Sequence, residues 1–201
     1  MHLNSIVSIL DLVSTFAFAL VGARVAASKG MDYGGIALIS AISSLSGGTL
    51  RNLFLGQTPP WLIHPWLFAS IVLAVLLTIL IRKTLPIGRF VLSLDTFGLA
   101  VATVSSTNFA LASHANWVSA SILGLIGGVT GGLFRDVLCQ VEPVLLHRET
   151  IGTSCLAGAI TYVGLHQLQV ATLLLVIASG MMTITVRELS VRFDWHLPKL
   201  R

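Results

Sequence analysis

Seven apolar runs, near 5–27, 33–54, 65–82, 89–110, 117–138, 150–166 and 168–187, leave almost none of the 201 residues for anything else. The hydrocarbon core of a bilayer takes about 20 mainly apolar residues per helix. The expected fold is therefore an all-α integral membrane protein, a single transmembrane domain over 1–201 with seven transmembrane helices. Charge agrees: 10% of the residues are charged, against roughly 25% in a soluble domain. The first run lacks a basic leader and contains Asp11, so it is read as a spanning helix and not as a cleaved signal.

Positive charge sets the expected orientation. With the N-terminus outside, Arg24, Lys29, Arg82, Lys83, Arg89, Arg135, Arg148, Arg187, Arg192, Lys199 and Arg201 fall on the inner side and only Arg51 on the outer half. Inner loops carry the basic excess, so the expectation is N-out and C-in across a cell inner (plasma) membrane. The net charge of +4 is accounted for by topology, and no nucleic-acid partner is expected. Trp61, Trp66 and Trp117 fall at expected outer helix ends and Trp195 in the inner tail, as interfacial anchors do. The tail, 188–201, mixes basic and aromatic residues suited to the inner leaflet.

Other chemistry is sparse. His2, His64, His114, His147, His166 and His196 lie at expected helix ends or in loops without ligand spacing, so no resident metal is expected. Cys139 and Cys155 read as small buried hydrophobes. No cofactor is expected. An intramembrane protease would need a nucleophile beside a base, and every histidine is at a helix end, so the chain is read as no enzyme.

Two of the runs carry a repeated signature. "SGGTLRN" at 46–52 and "TGGLFRD" at 130–136 place Gly47, Gly48 and Arg51 against Gly131, Gly132 and Arg135 at a constant spacing of 84. The same shift aligns 11–81 with 95–165 without a gap and pairs Asp11 with Asp95 and Pro59 with Pro143. Repeat one is read as 5–82 and repeat two as 89–166, with a seventh helix at 168–187 outside both. Three helices per repeat make the second copy inverted relative to the first.

Glycine-interrupted helices at matching places in inverted repeats point to a site near the membrane midplane. A helix broken there frees backbone groups that lipid cannot satisfy, which implies a wet cavity. Close packing is the alternative, because Ser40, Ser44 and Gly48, and Gly124, Gly128 and Gly132, form small-x-x-x-small ladders. Arg51 and Arg135 each cost about 2.5 to 3.5 kcal/mol to insert at a helix centre. Either they snorkel to headgroups or they pair with Asp11, Asp95 or Asp136 along a path through runs one, two, four and five. Ser14, Thr15, Thr103, Ser105, Ser106, Thr107 and Asn108 on those runs suit a wet path.

The twin glycine motifs ending in Arg-Asn or Arg-Asp, the three-plus-three-plus-one layout and the length resemble the prokaryotic trimeric intracellular cation (TRIC) channel family, also catalogued as an uncharacterised or glycine-transporter domain family. The resemblance covers roughly 5–187 and implies a homotrimer in membrane lipid, with a potassium-permeable pore in each subunit bent at the two motifs. It assigns pore and gate positions to Ser46, Gly47, Gly48, Arg51 and Asn52, and to Thr130, Gly131, Gly132, Arg135 and Asp136, with Asp11 and Asp95 as masking acids. The chain departs from the pattern at Ser46 and Thr130, where a third glycine is usual, and at Asn52, where Asp is usual. Potassium would be a transient occupant. A secondary transporter of a small solute such as glycine is the alternative function, and a purely structural membrane protein a third.

Overall fold

The structure, a computed structural model, describes residues 3–81, 88–141 and 150–193. Eight helices follow one another there: α1 (Leu3–Ser28), α2 (Tyr33–Phe54), α3 (Pro60–Ile63), α4 (Trp66–Ile81), α5 (Arg89–Ala112), α6 (Trp117–Leu138), α7 (Thr150–Gln167) and α8 (Thr172–Phe193). No strand occurs among the described residues. Four helices, α1 from Ile6, α2, α6 and α8, are long and apolar enough to cross a membrane, and α4 is a shorter apolar helix. Each expected run falls on one helix, that of 65–82 on the shorter α4. The single turn α3, opened by Pro60, was not expected from the sequence.

The 84-residue spacing recurs in the secondary structure. α2 and α6 begin at 33 and 117 and end at 54 and 138; α1 and α5 end at 28 and 112; α4 and α7 begin at 66 and 150. The caps match as well. Asp32 accepts from the Gly35 amide and Asn116 from the Ser119 amide, each side chain closing the first turn of its helix. Past the helix ends, left-handed residues occur at Gly30 and His114 and again at Gly56 and Gln140.

Small residues and hydroxyls make the helix contacts. Ser40 Oγ donates to the Ala19 carbonyl at 2.9 Å, Ser43 Oγ to the Gly131 carbonyl at 3.2 Å and Ser179 Oγ to the Gly158 carbonyl at 2.7 Å. Large apolar side chains such as Leu38, Phe54, Val72, Leu80 and Leu173 lie exposed on the outside. That distribution suits lipid, where close backbone approach and not hydrophobic burial draws helices together.

Two expectations need correction. α2 and α6 run without interruption through Gly47-Gly48 and Gly131-Gly132, so no broken turn frees backbone carbonyls there. Arg187, counted with the inner charges at a helix end, is 1% exposed and buried within α8, which continues to Phe193; Arg24 is likewise buried in α1. Arg82, Lys83, His2, His147, Arg148 and residues 194–201, including Trp195 and His196, lie outside the described residues.

Candidate functional site

Two arginines buried among α1, α2, α5 and α6 dominate the interior. Arg51 grips Asp11 with both ends of its fork, Nη1 to Oδ1 at 2.9 Å and Nη2 to Oδ2 at 3.0 Å. Its Nε donates to Asn52 Oδ1 at 2.9 Å. Ser105 Oγ donates to Asp11 Oδ1 at 2.5 Å, and the Phe109 ring lies 4.3 Å beneath the guanidinium. Arg51 is 1% exposed. Of the two expectations, snorkelling would have left it partly solvated; the Asp11 fork and the Phe109 ring enclose it instead.

The second arginine repeats the first. Arg135 Nη1 meets Asp95 Oδ1 at 2.6 Å, and Nε and Nη2 both donate to Asp136 Oδ1 at 2.8 Å. Asn52 therefore fills the slot of Asp136: its Oδ1 accepts the same Nε–H bond, while its Nδ2 donates to the Thr58 carbonyl at 2.6 Å and ties down the chain before α3. Among the described residues two carboxylates face Arg135 and one faces Arg51. The pairing left open by the sequence, Asp11 with Arg51 and Asp95 with Arg135, is thus fixed by geometry.

A cavity adjoins each pair. One of about 30 Å³ is lined by Asp11, Arg51, Ser14, Thr15, Ser44 and Ser106 among others, room for a water or two. Beyond Asp11, Arg51 and Pro60 it faces a vestibule of about 550 Å³. The other, about 10 Å³, is lined by Asp95, Arg135, Asp136, Leu99, Gly128 and Gly132 among others, at the limit for one water. Phe18 lines both cavities. Most walls of the smaller cavity are walls of the larger one shifted by 84, such as Asp95 for Asp11, Gly128 for Ser44, Gly132 for Gly48 and Arg135 for Arg51. Under that shift Phe18 corresponds to Ala102, which lines the larger cavity.

The glycines divide into two kinds. A Cβ on Gly47 would strike the Gly127 carbonyl oxygen, and one on Gly131 the Ser43 carbonyl oxygen, positions that exchange under the same shift. These two hold α2 against α6. Gly48 and Gly132 sit beside the arginines, where a Cβ would lie 4.0 Å from Arg51 Nη2 and 3.6 Å from Arg135 Nη2. Ser46 and Thr130 are not brought to the paired cavities. Ser46 borders an apolar hollow with Trp61 and Phe134, and Thr130 Oγ1 donates to the Ile126 carbonyl at 2.5 Å in its own helix.

Sequence reading missed Phe18, Pro60 and Phe109. An aromatic in an apolar run carries no signal by itself, and only the mismatch of Phe18 with Ala102 in the repeat alignment could have drawn attention to it. Among the described residues no group of histidine, cysteine or acidic side chains has the arrangement of a metal site.

Comparison with known proteins gives a consistent picture. A family model described as glycine transporter matches twice, over 8–83 and 92–167. The UPF0126 inner membrane protein YadS of Escherichia coli (strain K12) is 32% identical over 192 residues, 94% of this chain and 92% of that protein. A UPF0126 membrane protein of Vibrio cholerae is 28% identical over 96% of this chain and 82% of its own length. Among solved structures, the TRIC trimeric intracellular cation channel orthologue from Rhodobacter sphaeroides superposes with a TM-score of 0.89 at 30% identity, covering 95% of this chain and 100% of that one. A second, from work on conductance through TRIC cation channels, gives 0.85 at 32% identity over 96% and 97% of the two chains.

Proposed function

The chain belongs to the TRIC channel family, whose domain is also described as glycine transporter, and on that premise we propose that it is a monovalent cation channel of the bacterial inner membrane, permeable to potassium. The observation that carries this reading is the pair of matched polar cavities, each walled by an Asp–Arg pair and parted by Phe18. Seven spanning helices, two inverted three-helix repeats, an outside N-terminus and a homotrimer with one pore per subunit complete it. The family model matching twice at the repeat spacing and the matched helix ends support the repeat.

A cation crossing such a path needs oxygen ligands in place of part of its hydration shell, held loosely enough to let go. Ser14, Thr15, Ser44 and Ser106 offer hydroxyls and Asp11 a carboxylate around the larger cavity. With α2 unbroken, side-chain oxygens carry the role that freed carbonyls were expected to play. A bare arginine would oppose the ion by about 4 kcal/mol at 4 Å in an effective dielectric of 20. Pairing each arginine with an acid removes that barrier, so the pairs mask charge and their rearrangement gates the path. Gly48 and Gly132, with no side chain, leave the guanidinium groups room to shift.

A secondary transporter of a small solute such as glycine is the second reading. It is favoured by unequal ends, a vestibule of about 550 Å³ beside Arg51 and a cavity of about 10 Å³ beside Arg135, the asymmetry that alternating access requires. Proteoliposomes separate the two. The channel predicts potassium flux linear in concentration and insensitive to glycine; saturable uptake of labelled glycine without potassium flux would establish the transporter instead.

A further inference from the structure

Among the described residues Asp11, Arg51 and Pro60 border both the cavity of about 30 Å³ and the vestibule of about 550 Å³. The first two hold each other. Pro60 is brought there by the chain between α2 and α3, and that chain is fastened to the pair through Asn52. The Asn52 side chain, in a residue 4% exposed, bonds at both ends: Oδ1 accepts from Arg51 Nε at 2.9 Å and Nδ2 donates to the Thr58 carbonyl at 2.6 Å. Its own carbonyl accepts the Leu55 and Gln57 amides at 3.1 and 2.8 Å. Trp61 Nε1 donates to Thr49 Oγ1 at 3.1 Å just past Pro60, and Gln57 Nε2 donates to Ser113 Oγ, at the end of α5, at 3.0 Å.

These bonds make the pair and the segment one mechanical unit. If Arg51 swings away from Asp11, its Nε leaves Asn52 Oδ1; a buried acceptor must then find another donor, and as the amide turns Nδ2 lets go of Thr58. The mirrored slot has different chemistry. Asp136 accepts from Arg135 Nε at 2.8 Å, but an ionised carboxylate has no N–H to give. We propose that residues 55–60 form a strap that closes the outer mouth of the path, and that Asn52 is the positioning residue that couples this strap to the Arg51–Asp11 pair, a link that a carboxylate at 136 cannot make. The proposal rests on the channel reading, in which the cavity beside Arg51 is part of the path, and assigns its regulation.

The test uses the full-length protein carrying Ser14→Cys. Ser14 lines the cavity and is 7% exposed, so a thiol there reports what passes the strap. The probe is methyl methanethiosulfonate, small and neutral, with modification at each cysteine followed by mass spectrometry. Asn52→Asp keeps an acceptor for Arg51, as Asp136 does for Arg135, and removes the donor to Thr58. It should speed modification at position 14 about three- to tenfold, the share of one hydrogen bond, while Cys155, 0% exposed, reacts no faster than before. Asn52→Leu, similar in volume and uncharged, should do the same and decides the matter if Asn52→Asp does not assemble. An unchanged rate at position 14, or a rise that Cys155 shares because the whole bundle has loosened, overturns the proposal. Labelling needs no ion flux, so that failure leaves the channel reading standing, whereas wild-type proteoliposomes without potassium flux contradict the channel reading itself.

Discussion

A Cβ at Gly47 would fall on the Gly127 carbonyl oxygen, whereas at Gly48 it would meet Pro60 Cγ at 3.4 Å in ordinary contact. Gly47→Ala and Gly131→Ala should therefore force α2 from α6 and cost about 1–3 kcal/mol as overpacking does. Gly48→Ala should fold at least as well, with up to about 1 kcal/mol gained from helix propensity. Thermal unfolding in detergent checks the contrast, and equal stabilities would remove the packing role. The sequence marked both glycines of each motif but not their division of labour, since which neighbour faces which carbonyl depends on how the two helices cross. At Arg51, bidentate pairing with Asp11 at 1% and 15% side-chain exposure means that Arg51→Gln strands a largely buried acid. A loss of about 3–5 kcal/mol is expected for a fully buried pair, somewhat less here because Asp11 is partly open. Asp11→Asn should restore part of it, and the double-mutant cycle measures how much; additive effects would contradict the pair.

At the scale of elements, the register of α1, α2 and α4 against α5, α6 and α7 was legible from the Gly-Gly-x-x-Arg spacing, because helix ends follow the same shift as the motif. The turns were not legible. A left-handed residue is glycine at 30 and 56 but histidine at 114 and glutamine at 140, so the repeat is conserved in backbone shape where its residue types differ. The short α3 escaped notice because four residues carry no helical period. The proposed inverted arrangement with an outside N-terminus would put the end of α5 outside and its start inside. With Cys139 and Cys155 replaced, Ala112→Cys should label from outside with an impermeant thiol reagent and Gly88→Cys only from inside, the opposite pattern contradicting the orientation. Background reaction should be low even before that replacement, since both cysteines are buried and burial holds the Cys139 thiol above its ordinary value.

For the whole molecule, composition and run length were enough to read a helical membrane protein, because lipid leaves a backbone few other choices. The site was half legible: the twelve residues singled out include both acid–base pairs, yet the cavities between them depend on Phe18 and on side-chain directions that no spacing encodes. Phe18, at 4% exposure, separates the cavity of about 30 Å³ from that of about 10 Å³. If ions pass from one pair to the other, this ring, which lines both cavities, stands in their way. The most direct measurement is potassium current through single channels in a planar bilayer, wild type against Phe18→Leu. The smaller side chain keeps the core apolar and shortens the barrier, and each 1.4 kcal/mol removed should multiply the current about tenfold. A larger unitary potassium current in well-assembled Phe18→Leu is the predicted result; an unchanged unitary current would mean that the ion does not travel between the two pairs and would contradict the pore proposed for this chain.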